Sequence, residues 1–252
     1  MPFTLAHPAV VVPLYKRKHM FCFTALVLGS MAPDFEYFIY FAPHGLIGHS
    51  WSGFLYFNLP LVFLCSYVYH GIVKRMLIPH LPEPISTWYR THAVQTWGIH
   101  SLHSFIIFVY SALLGMATHV AWDAFTHVQG YAVTRIPLLA ASIEIGYWHI
   151  PFYKLAQHGS TLIGGICVIV WAYRLRDKGQ NLAPIVSVSV KLKFWLLIAI
   201  VALVILGLSS YLRGGISVYA YGVWIVTMMS SVTSAIIIVS CGYVIAHSRT
   251  ES

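Results

Sequence analysis

Charge is what this sequence has least of. Asp, Glu, Lys and Arg make up 9% of its 252 residues, and only seven residues are acidic. A soluble domain carries about 25% charged residues, so this composition cannot cover a water-facing surface. Hydrophobic residues supply 58% of the chain and the mean hydropathy is +0.74, which calls for an exterior that faces lipid. The four cysteines, Cys22, Cys65, Cys167 and Cys241, stand apart in apolar segments without a Cys-x-x-Cys pair. They read as small buried hydrophobes and say little about redox compartment. There is no internal repeat, no phosphate-cradling glycine loop and no serine-nucleophile elbow. The pI near 9.4 comes without a basic stripe interleaved with aromatics, so nucleic acid is not the expected partner. The basic start and apolar middle of "KRKHMFCFTALVLGSMA" follow another apolar stretch, a poor n-region for a signal peptide, and the segment is expected to be retained.

What the chain does have is long apolar runs. Six are long enough for a bilayer crossing of about 20 residues: roughly 20–41, 51–73, 102–126, 158–173, 194–212 and 217–246. A seventh, "IPLLAASIEIGYWHI" (136–150), is short and holds Glu144, so it is expected to be interfacial or re-entrant. The expected fold class is all-α, a polytopic helical membrane protein of about six transmembrane helices plus that short segment. The linker-like stretch 174–193 divides a helical core, 1–175, from a C-terminal helix pair, 194–252. If "KRK" (16–18) lies on the cytoplasmic side, twelve of the fifteen Lys and Arg fall inside, leaving Arg135, Lys154 and Arg213 outside. This is the positive-inside bias, and with six spans it puts both termini near the cytoplasm. Trp51, Trp122, Tyr147, Trp148 and their aromatic neighbours form the expected interfacial belt. Gly29, Gly164 and Gly165 are expected at close helix contacts.

Polar groups gather on the outer side of this arrangement. In "THVAWDAFTH", His119, Asp123 and His127 are spaced four apart and line one helix face. "GSMAPDFEYF" adds Asp34 and Glu36, "APHGLIGHSW" adds His44 and His49, and "YKLAQHGST" adds His158. Each carboxylate deep in an apolar span costs roughly 2.5–3.5 kcal/mol, which pairing, hydration or a cation must offset. Imidazole and carboxylate suit a divalent metal with an open position for water. The blander alternatives are packing histidines, a helix-capping role for His158, Ser160 or Thr161, and solvated interfacial sites for Glu36 and Glu144.

"MPFTLAHPAVVVPL", "ALVLGSMAPDFEYF", "GHSWSGFLYFNLPL", "THVAWDAFTH" and "YKLAQHGSTLIG" together resemble an uncharacterised membrane family, domain of unknown function 4184, over roughly residues 1–175. The series is more distantly similar to the LexA-binding, inner-membrane-associated metal-dependent hydrolases and to the zinc-dependent phospholipase C class. That resemblance implies a metal set of His7, Asp34, His49, His119 and Asp123, zinc as the cofactor, and a bacterial cytoplasmic membrane location. Glu36 stands where the relative has a second Asp. "GHS" replaces its Thr-His-Ser, which keeps Ser50, and its His-Arg-Gly has no clear counterpart. His7 can meet Asp34 if 3–15 and 20–33 form a helical hairpin with "KRK" at its tip.

The expected function is a metal-dependent hydrolase acting on a phosphoester or lipid headgroup at the membrane surface, with Asp34 or Glu36 activating a water. His127, His158 and Ser50 are expected around the ligands. The competing readings are an ion or proton transporter built on the same residues and a structural membrane protein without catalysis.

Overall fold

The computed structural model describes residues 3–177 and 186–250, except for the side chains of Ile145 and 247–250. The linker-like stretch 174–193, and Lys178 within it, lies partly outside the described residues, as does the side chain of Arg249. The protein is an integral membrane protein with five helices long and apolar enough to cross a bilayer: α2 (Trp51–His80), α3 (Leu102–Thr126), α4 (Phe152–Arg174), α5 (Val188–Leu212) and α6, whose span is Tyr221–Ala246. Their flanks stay apolar and uncovered. On α5, Leu192, Leu196, Ile200 and Leu203 all point out of the protein, as side chains solvated by lipid would.

The first candidate span, 20–41, is not a continuous helix. Its α1 (Phe23–Met31) has nine residues, about 14 Å at 1.5 Å each, half of a ~30 Å hydrocarbon core. Pro33 is the cause. It has no N–H to offer the carbonyl of Gly29, four residues back, so the α ladder breaks and the Ala32 N–H takes that carbonyl instead. The chain tightens into a 3-10 turn over Ala32–Asp34 before resuming as a short helix, Phe35–Tyr40. Upstream, Pro8 and Pro13 act in the same way on the opening segment. Ala6, Val11, Leu14 and Arg17 donate to the carbonyls of Phe3, Pro8, Val11 and Leu14, each three residues back. The result is two 3-10 helices, Thr4–Val10 and Val12–Lys16. At about 2.0 Å per residue, thirteen residues cover roughly 26 Å, so a short segment forms the hairpin's first arm.

The short apolar segment 136–150 is not a span, and it is only partly helical. After a short helix at Pro137–Ala140 it folds into a β-hairpin, with β1 (Ser142–Ile145) antiparallel to β2 (Trp148–Pro151). The strict alternation in "SIEI" and "WHIP" is the reason.

Contacts divide the chain into two units. One comprises 1–35, 46–63 and 99–174; the other comprises 36–45, 64–98 and 175–252. In the first, α1 packs on α3 through small residues. A Cβ at Gly29 would overlap the Ala112 carbonyl oxygen, and one at Gly115 would lie 2.7 Å from the Ser30 nitrogen. The opening 3-10 helix lies against α4, where a Cβ on Gly164 would come within 2.9 Å of the Ala6 oxygen. Gly165 differs from its expected role: nothing lies within 4 Å of its Cβ position, because one 100° step turns it off the packed face.

The second unit holds α5 and α6 around Phe194, Ile198, Ala202, Ala235 and Val239. It also takes residues 36–45 and 64–98, well beyond a bare helix pair. Lys191 anchors it, its Nζ donating to Glu83 Oε1 (2.8 Å), Leu81 O (2.9 Å) and Ser86 Oγ (3.0 Å). Burial works against the ionised Glu83, but hydrogen bonds from Lys191, Ser86 and Thr87 outweigh it and hold the carboxyl at about 2, below its ordinary 4.5. A depressed carboxyl adds stability above its unfolded value and loses it as pH falls through the folded one. Thermal unfolding in detergent should therefore weaken between about pH 4.5 and 2, and Glu83→Gln should flatten that acid limb. An unchanged limb in the variant would remove Glu83 from this role.

Candidate metal centre

The centre lies within the first unit and begins with the α1–α3 contact. Because Gly29 and Gly115 let the two backbones meet, the Ser30 carbonyl oxygen comes 2.8 Å from His119 Nδ1. Nδ1 then carries the proton and donates it, so the lone pair of His119 sits on Nε2. One turn along α3, Asp123 presents its carboxylate on the same face, with Oδ2 3.3 Å from that Nε2. The 3-10 turn forced by Pro33 swings Asp34 in from α1, Oδ1 3.5 Å from His119 Nε2. His49 closes the group, its Nε2 3.5 Å from Asp123 Oδ2 and 3.7 Å from Asp34 Oδ1. His7 arrives from the opening 3-10 helix, stacked on the His119 ring with centroids 3.8 Å apart, its Nε2 3.7 Å from Asp123 Oδ1.

The structure thus brings together His7, Asp34, His49, His119 and Asp123. His127 stands beside them, its Nδ1 3.4 Å from Asp123 Oδ1 and 3.2 Å from the Asp123 carbonyl oxygen. Asp123 faces two ways, Oδ2 toward His49 and His119, Oδ1 toward His7 and His127. The interior side of the cluster is closed: the side chains of Asp34 and His119 are 0% exposed and that of His7 2%, while His49 at 34% and His127 at 29% form the opening. Burial lowers the His127 imidazole, which keeps that ring neutral near pH 7, the form that ligates metal.

Do these residues fit an ion? Separations of 3.3–3.7 Å are too long for ordinary N–H···O bonds of about 2.7–3.2 Å. A tetrahedral ion with N and O ligands at about 2.0–2.2 Å sets its ligands roughly 3.3–3.6 Å apart. Of the four edges of the ring Asp34 Oδ1, His49 Nε2, Asp123 Oδ2, His119 Nε2, three lie at 3.3–3.5 Å and the fourth, Asp34 to His49, at 3.7 Å. Asp34, His49 and His119 form one possible ligand group, and His7, His119 and Asp123 another. Among the described residues, buried His7 Nε2, His119 Nε2, Asp34 Oδ1 and Asp123 Oδ1 all lack a hydrogen-bond partner. At about 1–3 kcal/mol for each unsatisfied group, four such atoms amount to most of a typical stability of about 5–15 kcal/mol. A cation held by either group would relieve part of that cost. These His and Asp groups can bind a metal.

The other candidates are not among these two ligand groups. Ser50 caps the helix start at Trp51, accepting from Gly53 N (2.9 Å) and donating to Ile47 O (2.7 Å); its role is to shape the loop behind His49. His158 is exposed on α4, one step from the inward-facing Gln157. Glu36 and His44 belong to the second unit, Glu36 buried and His44 exposed against Tyr40. Glu144 is exposed and pairs with His149.

Two residues carry no signal in the sequence. Thr4 Oγ1 donates to Asp34 Oδ2 at 2.6 Å, which turns the other oxygen toward the imidazoles. Asn58, fully buried in a π-helical turn of α2, donates from Nδ2 to Gly48 O at 2.6 Å and tethers the His49 loop. Orienting partners of this kind are worth roughly 10–100-fold in metal affinity. Thr4→Val is expected to weaken divalent-metal binding by that factor in a chelator-competition titration, with Thr4→Ser restoring it. Equal affinity in all three proteins would contradict the role.

The family described as Domain of unknown function (DUF4184) matches residues 1–247. The chain belongs to this family. The match runs through the C-terminal helices, beyond the 1–175 over which the motifs suggest it, so both units fall within the family's extent. No curated protein and no solved structure matches the chain.

Proposed function

We propose that this DUF4184 member is a membrane-embedded, zinc-dependent hydrolase acting on phosphoester bonds at the membrane surface, lipid headgroups foremost. The observation that supports it best is the set of four buried, unpartnered N and O atoms on His7, Asp34, His119 and Asp123, spaced as ligands are rather than as hydrogen-bonded neighbours. In this reading His119, Asp123, Asp34 and His49 hold the ion, and His7 completes the set from the Asp123 Oδ1 side. The mixed imidazole and carboxylate donors favour zinc. When bound, a divalent ion supplies activation of water and charge stabilisation at phosphoryl oxygens.

The chain's own groups take the remaining roles. Asp34 Oδ2 accepts from Thr4, and its unpartnered Oδ1 faces His49 and His119, so it acts as a ligand and not as the base. His127 supports proton transfer: it borders the opening and its ring is engaged with Asp123. The charge bias of the sequence supports an outward-facing site, and the distant resemblance to inner-membrane hydrolases supports a bacterial cytoplasmic membrane. With five crossings and the opening hairpin, the N-terminus lies outside and the C-terminus inside.

The test is hydrolysis of phospholipid in vesicles and of a soluble phosphoester by purified protein, stripped with chelator and reloaded with zinc. Restoration by zinc in the wild type, absent from His119→Ala, is the expected result. Zinc-independent activity in both, or ion flux through sealed vesicles without hydrolysis, would overturn the reading.

A further inference from the structure

The connection between α3 and α4 spans residues 127–151, and no membrane crossing lies within it. Both helices therefore open onto the same face of the bilayer, and the connection stays there. It begins at His127, beside the metal cluster, and its last residue, Pro151, leads straight into the α4 span at Phe152. The β-hairpin is thus fixed at the membrane boundary by covalent continuity.

Its register sorts the side chains. Glu144 pairs with His149 and Ser142 with Pro151, while Ile143 pairs with Ile150 and Ile145 with Trp148. Because paired residues share a face and neighbours alternate, one face bears Ile143, Ile150 and Trp148, and the other bears Ser142, Glu144 and His149. On the polar face, Glu144 Oε1 lies 3.5 Å from His149 Nδ1. At the tip, Gly146 has φ +60° and Tyr147 has no left-handed φ, the pattern of a two-residue type II′ turn. Tyr147 is 100% exposed and Trp148 73%.

A lone two-stranded hairpin is marginal in water, and an uncovered Trp on its apolar face makes it more so. Trp and Tyr find their best place where the ring meets acyl chain and its polar edge meets headgroups and water. The rest of the connection is of the same kind: Val128, Tyr131, Ile136 and Leu138 are exposed too.

We infer that the hairpin 142–151 is an interfacial anchor. Its Trp148 face and Tyr147 tip embed in the headgroup–acyl boundary of the bilayer that α4 crosses, and the Glu144–His149 face stays in water. The occupant of the apolar face is lipid. This inference rests on α4 as a membrane span and not on the hydrolase reading, so either can fail alone.

The experiment uses the full chain in lipid nanodiscs. Subtracting the emission of Trp148→Phe from that of the wild type isolates Trp148 among the eight tryptophans. Phosphatidylcholine brominated near the glycerol end of its acyl chains should quench most of this difference signal, and aqueous iodide should quench little. Quenching by iodide but not by bromolipid would overturn the anchor. Shielding from both would overturn it in favour of a protein surface, a second copy included. Should Trp148→Phe fail to fold, Tyr147→Trp gives the same readout by addition, its extra emission expected to follow the bromolipid.

Discussion

Asp123→Ala is expected to abolish zinc retention and phosphoester hydrolysis together, the largest loss of any single substitution in the cluster. Asp123 is the residue whose two oxygens serve different imidazoles, Oδ2 facing His49 and His119, Oδ1 facing His7 and His127. Removing it deletes an anionic ligand and leaves those rings without the charge around which they converge. The loss should exceed the roughly 10–100-fold that follows from removing an orienting partner such as Thr4. Asp123→Asn keeps the shape but not the charge and should also fail. His127→Ala should keep the metal and lower the rate. Zinc titration and vesicle hydrolysis on the same preparations separate the two effects, and an active, zinc-loaded Asp123→Ala would refute the assignment.

Gly29→Leu is expected to break both the fold and the site. The first added carbon already overlaps the Ala112 carbonyl, and a branched side chain must push α1 off α3. Overpacking of this kind costs about 1–3 kcal/mol and upward. It also withdraws the Ser30 carbonyl that fixes the His119 tautomer. The midpoint of thermal unfolding should drop by several degrees and zinc affinity should fall with it. Gly165→Leu is the control: its Cβ position meets nothing within 4 Å, so the same substitution there should be tolerated. Equal effects at the two glycines would contradict the close-contact account.

These effects reach different distances beyond what local sequence can express. The four-residue spacing of His119, Asp123 and His127 is a property of one helix and is legible at once. So are four of the crossing helices, whose apolar runs approximate the observed spans; the fifth, α2, runs seven residues beyond the predicted 51–73. Where proline interrupts a run, the sequence indicates a break but not what replaces it: Pro33 gives a 3-10 turn that delivers Asp34, and Pro8 with Pro13 gives an opening arm of 3-10 helix carrying His7. The hairpin at 142–151 rests on two four-residue strands, too short for their alternation to outweigh the apolar composition around them. Thr4 is a different case. Its contact with Asp34 bridges 30 residues of chain, and no local pattern marks a hydroxyl for that task. Ser50 shows the converse, since a serine next to a ligand histidine suggests a site role while its geometry makes it a helix cap.

X-ray absorption at the zinc edge of the purified, zinc-loaded protein addresses the shared focus of these side chains most directly. The account predicts about one or more zinc ions per chain in a shell of nitrogen and oxygen at about 2.0–2.2 Å, with the outer-shell pattern of imidazole rings. A protein that takes up no zinc, or a shell of sulfur at about 2.3 Å, would contradict it.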